Sequence, residues 1–468
     1  MSTVPQNLTG GQVQLLPHQK AFVEAVLAPD GAHVLALNAP PGSGKTVTLA
    51  AAVEQLLSMM PKARVLILAP AALAEHFAAR LQYVGAPAVL VDRYKFREFR
   101  NAVAHERVWP EGLIAVMSRD FAKQPDVLNS LTMGQWDLLV IDGIERFGEV
   151  GRYALPRIAM VSRKVVVAAT APLEAGRLFP GDEVSVVEWK PEGFVNATGQ
   201  PLVRRSPLLK ECRYILSLAE VSVAVHVEEI CTTIEGAGLA EGSSIARRLR
   251  RQLSSSPAAL EAGLQALTTS SDGPLWRGAR SPEEADVVAA NDSVLPSGSP
   301  VAGELTSMAS VVLQELDSPG EDTKATELLR LIQELAGDDP ASVRICVLTN
   351  HTPTLFYLGA VLEDTGLPIR LVHAASSFEE RQRILEECDS VSGLLLAHSI
   401  AMKGYDAPEM TDLVLYEIPE AAEAAYVHVV RFNGLGRKRR LNVHVLIPEN
   451  SPHPARMDGL RALLDGAA

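Results

Sequence analysis

The chain has 468 residues, 47% of them hydrophobic, which is enough for two or three domains with substantial cores. Its 43 Lys and Arg against 56 Asp and Glu leave a formal net charge of -13, so no global positive field draws in nucleic acid and any such contact has to use local basic patches. Four scattered cysteines without a CxxC pair argue against a zinc site or a disulfide framework, no apolar run reaches the length of a membrane span, and Met1 to Leu15 lacks a signal-peptide core, so the expectation is a cytoplasmic protein without membrane contact.

Residues 1–12 are polar, and Leu15 to Phe22, with Pro17 and Gln19, leads into a helix. The apolar run His33-Val34-Leu35-Ala36-Leu37 predicts a buried strand, and Val47 to Met59 a helix. Between them stands Ala39-Pro40-Pro41-Gly42-Ser43-Gly44-Lys45-Thr46. Strand, glycine loop, Gly-Lys-Thr and helix in this spacing mark a phosphate-binding loop, with Ala39 where the strict pattern has its first glycine. Gly42 and Gly44 let the backbone turn tightly, so that the N–H groups of the loop, Ser43 included, surround a polyphosphate. The helix that begins near Lys45 adds its positive end. Lys45 is expected to reach the outer phosphates and the Thr46 hydroxyl to ligate Mg²⁺, which makes ATP with Mg²⁺ the expected ligand.

Arg64 to Pro70 predicts the next strand, and Gly112 to Asp120 another, with Ser118, Arg119 and Asp120 at its polar tip. Trp136 to Asp142 is an apolar strand ending in a carboxylate, the Walker B pattern, which places Asp142 to hold Mg²⁺ through water. Lys164 to Pro172 predicts a further strand. Strands alternating with helices imply a parallel sheet covered on both faces, with its ligand at the carboxyl ends of the strands.

In this order the segments resemble superfamily-two helicases, which open with a Pro-x-Gln element ahead of the phosphate loop, as Pro17-His18-Gln19 does here. The resemblance implies that Gln19 contacts adenine; an ordinary surface glutamine is the alternative. It also implies that the ends of the strands Arg64–Pro70 and Gly112–Asp120 touch the nucleic-acid backbone, which makes Arg119 a candidate contact, and that Thr170-Ala171-Pro172 couples nucleotide state to grip. The family continues its Walker B aspartate as Asp-Glu-Ala-His, whereas this chain reads Asp142-Gly143-Ile144-Glu145. Glycine has no side chain to orient a water or accept its proton. Glu145 stands two residues on, and it replaces the missing carboxylate only if the loop is rearranged.

Between about 190 and 310 the alternating rhythm stops. Arg213 to Glu235 predicts a largely helical stretch, and Ser243 to Leu260 follows as an arginine-rich helix running into Ser255-Ser256-Pro257-Ala258-Ala259. That combination resembles the connecting segment of bacterial Swi/Snf-type ATPases. Its Arg247, Arg248, Arg250 and Arg251 are read either as phosphate contacts or as a solvated helix face paired with acidic neighbours. Thr268 to Ser307 reads as a flexible loop or linker, and the helix Thr323 to Ala336 leads into a second lobe.

In that lobe Val343–Asn350, Ile369–His373, Gly393–Ala397, Asp412–Ile418 and Val443–Pro448 predict strands. His398 to Pro408 resembles the loop that in the family touches both nucleic acid and the nucleotide cleft, with Lys403 as a candidate contact. Tyr426 to Arg440 covers the region of the arginine fingers. Aligned without gaps, Arg431 takes the first finger and Gly434 the second; another frame keeps Arg437 as the second, and a basic surface turn over Arg437 to Arg440 is the alternative.

The expected fold class is therefore α/β: two RecA-like parallel-sheet lobes, 1–195 and 311–468, with a helical connecting segment, 196–310. The expected function is a helicase-like, Swi/Snf-type ATP-binding protein acting on nucleic acid, as a double-stranded DNA translocase. The alternative is a catalytically impaired pseudo-ATPase serving as a nucleotide-binding scaffold or regulatory subunit. A protein partner or larger complex is expected in either case.

Overall fold

The computed structural model describes residues 15–268 and 301–465, apart from positions 41, 84–85, 103–108, 145–147, 171–177, 180, 191–193, 197, 203–204, 240–241, 318–319, 338–342, 403–404, 406, 408, 420, 435–436, 438 and 450–453. One unit is built from the chain up to Arg204 together with Gly434–Arg437, and the other from Arg205–Asn433 and Lys438–Ala467.

The first unit is a sheet of seven parallel strands: β1 (Val34–Asn38), β2 (Val65–Ala69), β3 (Ala88–Leu90), β4 (Ile114–Ser118), β5 (Leu138–Asp142), β6 (Val165–Ala169) and β7 (Val184–Glu188). Their spatial order is β3-β4-β2-β5-β6-β1-β7. Successive strand residues face opposite sides, so a sheet covered on both faces needs unbroken apolar strands. β2 shows this directly: Val65, Ile67 and Ala69 enter one core, and Leu66 and Leu68 enter the other. The short strands β3 and β7 at the two edges are not foretold by apolar runs, because edge strands need only one buried neighbour.

The second unit has six parallel strands: β8 (Leu208–Tyr214), β9 (Arg344–Thr349), β10 (Ile369–Val372), β11 (Gly393–His398), β12 (Asp412–Leu415) and β13 (Asn442–Pro448). They lie in the order β10-β11-β9-β12-β13-β8. Again alternate residues divide between two cores, Cys346 and Leu348 on one face and Ile345 and Val347 on the other. Both sheets are thus of the parallel α/β type expected from the sequence.

The connecting segment differs from its predicted form. Leu208–Tyr214, expected inside a helical segment, is an edge strand of the second sheet, paired in parallel with β13. Its sequence, LLKECRY, is broken by three charged residues and only Cys212 is buried, so no apolar run announces it. The helix expected from Arg213 begins at Leu218, where Ser217 caps it and Glu220 closes a capping box. The helices Leu218–Gly236, Gly242–Leu253, Pro257–Thr268 and Ala302–Leu316 share a core of their own within the second unit. The last of them takes the end of the stretch expected to be linker; residues 269–300 lie outside the described residues.

A polar seam fastens this helical group to the second sheet. The Ser255 hydroxyl bonds Thr354, 2.6 Å away, and the carboxylate of Glu417, while Ser256 bonds Thr354 and caps the helix Pro257–Thr268 through the Ala259 amide. Lys324, 6% exposed, donates from Nζ to the carbonyls of Ser254 and Ser255 at 2.7 and 3.2 Å, and stands 3.9 Å from the ring centre of Tyr416. Burial pushes its pKa down from 10.5 to about 8, against the pull of Glu417 and Asp322. The unfolded chain therefore binds the extra proton between pH 8 and 10.5, and stability rises with pH across that window. In urea titrations, the unfolding free energy of the wild type minus that of Lys324→Met is expected to rise by about 3 kcal/mol over this range. A difference that stays flat contradicts a buried ammonium.

Candidate nucleotide-binding site

The site is set by three neighbouring strands of the first sheet. β6 pairs β1 on one side and β5 on the other, with Ala169 level with Asn38 and Ala168 level with Asp142. The carboxyl ends of β1 and β5 are therefore flush and one strand apart, roughly 10 Å between backbones at ordinary strand spacing. The phosphate loop leaves one of them, and the other ends in Asp142, 6% exposed.

Gly44 caps the helix Lys45–Met59 from the left-handed region, at φ 83° and ψ 24°. A side chain there would be strained, and its Cβ would lie 2.3 Å from Nε2 of Gln19. Gln19, 6% exposed, closes over the loop from the first helix, Pro17–Leu27. Its Oε1 accepts from the Leu16 amide at 2.9 Å, and its Nε2 donates to the Ser43 carbonyl at 3.4 Å. It is thus a buried residue of the loop's own wall and not the surface glutamine weighed against that role. His18 beside it packs its ring 4.6 Å from that of Trp189 and 4.7 Å from that of Phe194, and burial lowers its pKa against the opposing influence of the Ser43 backbone.

Lys45 folds its ammonium back on the loop, donating to the carbonyls of Ala39 at 2.8 Å and Pro40 at 3.0 Å. Thr46 lies in the first turn of the same helix. Two buried oxygens at the loop find no hydrogen-bond partner among the described residues: Ser43 Oγ and Asn38 Oδ1. Buried polar atoms are nearly always paired, so unpaired ones beside a nest of backbone N–H groups suit a polar ligand. Asn38 was not foreseen; the only signal was a polar residue closing an apolar strand. The Thr46 hydroxyl and the Asp142 carboxylate are hard oxygen donors of the kind Mg²⁺ takes, so the residues present fit that ion.

Gly143 adopts φ 68°, and a Cβ there would meet Pro70 Cγ at 3.4 Å. The turn after Asp142 is therefore built for glycine and is not merely missing a glutamate side chain. Arg119, expected at a nucleic-acid surface, is 4% exposed and donates from Nη1 to the Gly143 carbonyl at 3.1 Å. Glu145, the candidate substitute carboxylate, lies outside the described residues, as does Lys403.

On the second unit, the arginine-rich helix Gly242–Leu253 buries Ile245, Ala246 and Leu249, exposes Arg247 and leaves Arg248 half-buried. Arg250 pairs with Glu228 and Glu235 at 2.6 Å each, so this part of the cluster is an ion-paired helix face. Arg431 stands in the last turn of the helix Ala422–Phe432, and Arg437 lies beyond the end of that helix.

Residues 16–177 match the family model of the DEAD/DEAH box helicases. The structure is similar to the helicase domain of Pyrococcus furiosus Hef, with a TM-score of 0.51 and 17% identity over 94% of this chain and 97% of that one. It is also similar to a variant of S. cerevisiae Dbp5 bound to RNA and ADP BeF3, with a TM-score of 0.50 and 13% identity over 97% of this chain and 88% of that one. At these identities the likeness shows the fold alone, two RecA-like parallel-sheet lobes. No curated protein matches the sequence. Among the described residues no helix is long and apolar enough to cross a membrane.

The left-handed turn at Gly143 yields a stability series. Gly143→Ala is expected to cost about 1–2 kcal/mol in urea unfolding, and Gly143→Asn less, since asparagine tolerates this region. Equal stability of all three proteins contradicts the conformation described.

Proposed function

We propose that the chain is a nucleic-acid-dependent, helicase-like ATPase that acts on double-stranded DNA in the manner of Swi/Snf-type translocases. The observation that carries the nucleotide part is the phosphate loop itself, with Gly44 left-handed under Gln19 and flush with the buried Asp142. The Swi/Snf part rests on the arginine-rich helix and the Ser-Ser-Pro turn that follows it.

In this reading the amides of Gly42, Ser43 and Gly44 bind the phosphates, and the Ser43 hydroxyl gains the partner it lacks. Lys45 exchanges its two loop carbonyls for phosphate oxygens, and Gln19 reads adenine from the loop's wall. Thr46 and Asp142 hold Mg²⁺, which when bound neutralises phosphate charge. Arg431 and Arg437 are the proposed fingers, placing positive charge where the transition state develops negative charge. Arg247 and Arg248 are the proposed phosphate contacts for DNA; Arg119, committed to the Gly143 carbonyl, acts by holding the turn after Asp142.

A second reading is favoured by one observation. Gly143 occupies the glutamate position in a conformation that a glutamate would strain, so a nucleotide bound there lacks the usual group to orient its attacking water. A pseudo-ATPase that binds nucleotide and regulates a larger assembly follows from that.

ATP turnover with and without duplex DNA, beside nucleotide binding, separates the two. The first reading expects DNA-stimulated turnover that Lys45→Ala abolishes, with binding weakened at least about tenfold. Binding without turnover in either condition transfers the conclusion to the pseudo-ATPase, and nucleotide affinity that Lys45→Ala leaves unchanged overturns both.

A further inference from the structure

The second unit holds a cavity of about 530 Å³ at its polar seam, between the helices Leu218–Gly236 and Gly242–Leu253 and the ends of the second sheet. That volume falls in the range of about 300–1,000 Å³ usual for small-molecule sites.

Its charge is one-sided. The carboxylates of Glu220, Glu315, Glu321, Asp322 and Glu417 line it, against the two cations Arg250 and Lys324. Arg250 is taken up by Glu228 and Glu235, neither of which lines the cavity. Lys324 is spent on the Ser254 and Ser255 carbonyls and the face of Tyr416. Among the described residues these carboxylates hydrogen-bond to neutral donors or a histidine: Glu220 with Thr323, Asp322 with the Tyr357 hydroxyl, Glu417 with Ser255 and Thr349, and Glu315 with Ser222 and His226; the Lys324 ammonium acts on Glu417 and Asp322 through space, without a direct ion pair. Each carboxylate oxygen pair offers about four acceptor sites, so capacity remains.

The wall is also aromatic, with Tyr214, Tyr357 and Tyr416 in it. Burial pushes all three hydroxyls well above their ordinary pKa, with the charge of Asp322 adding to it, so they stay neutral. Tyr416 is wholly buried behind that wall, so Tyr214 and Tyr357, each partly exposed, are the aromatic faces that a ligand can reach. Lys324 over the Tyr416 ring shows that this wall holds an ammonium by cation–π contact.

We propose that this cavity is a binding site for a small organic cation, a protonated amine on an apolar or aromatic body. The ammonium would sit among the carboxylates, and the body would lie against Tyr214, Tyr357 and the apolar residues Val223, Leu253 and Leu260. Occupancy would tie the helical group more firmly to the second sheet, because the lining residues come from both.

The test is a ligand-observed NMR titration of the full chain with three probes of one size: 2-phenylethylamine, 2-phenylethanol and 3-phenylpropionate. The amine is expected to bind at least about tenfold more tightly than the alcohol, and the carboxylate not measurably. Ala224→Trp, which fills the cavity from the helix Leu218–Gly236, is expected to weaken the amine at least about tenfold while leaving the far-UV circular dichroism and Mg²⁺-ATP affinity unchanged. If that variant loses its fold, Ala219→Trp at the exposed rim carries the same comparison. Equal binding of the three probes, undiminished amine binding in the filled cavity, or no amine binding up to about 10 mM overturns the proposal.

Discussion

The register with which β6 pairs β1 on one side and β5 on the other is the constraint on which the candidate nucleotide site depends. Parallel strands must all deliver their carboxyl ends to one edge, and here three of those ends stop within a residue of one another. The strand register alone therefore brings the phosphate loop and Asp142 to the same edge. A one-residue slip of β5 would turn Asp142 to the other face of the sheet. The apolar cores on the two faces prevent that slip, since each strand buries alternate residues in each. Function at the edge is held in place by packing in the middle.

The glycines at that edge do different things. Gly44 is required because the backbone turns left-handed and because Gln19 occupies the space where a side chain would stand. Gly143 is left-handed too, and its carbonyl is gripped by a buried arginine. A sequence comparison presents Gly143 only as a lost carboxylate. The structure presents it as one part of a turn with its own geometry, joined to Arg119, so restoring a glutamate would disturb the turn as well as add a charge.

Much of the fold was legible in the sequence, because strands buried on both faces must be continuously apolar, and those are easy to read. The ten predicted strands all appear. What was missed follows from the same physics: β3, β7 and β8 lie at sheet edges, where half-exposed residues such as those of LLKECRY carry no such pattern. The phosphate loop was legible because its residue types and spacing are set locally. Gln19 was ambiguous, because whether a glutamine is buried depends on a loop 24 residues away in the chain. The burial of Arg119 and the place of Asn38 at the loop are not legible for a related reason, since no short motif says which way a side chain at or just beyond a strand end turns. The seam of Ser255, Lys324, Tyr416 and Glu417 is less legible still, as its members come from three separate stretches of chain. The Ser-Ser-Pro turn was noticed as a family resemblance, and its physical role is to fasten helices to a sheet.

The most direct test of the central claim is amide hydrogen exchange with and without Mg²⁺-ATP. The account predicts that nucleotide slows exchange first and most at Gly42 to Thr46, with Gln19 and the end of β5 protected beside them, and that Lys45→Ala removes the effect. Unchanged exchange across the phosphate loop at saturating nucleotide, or protection confined to other parts of the chain, would contradict it.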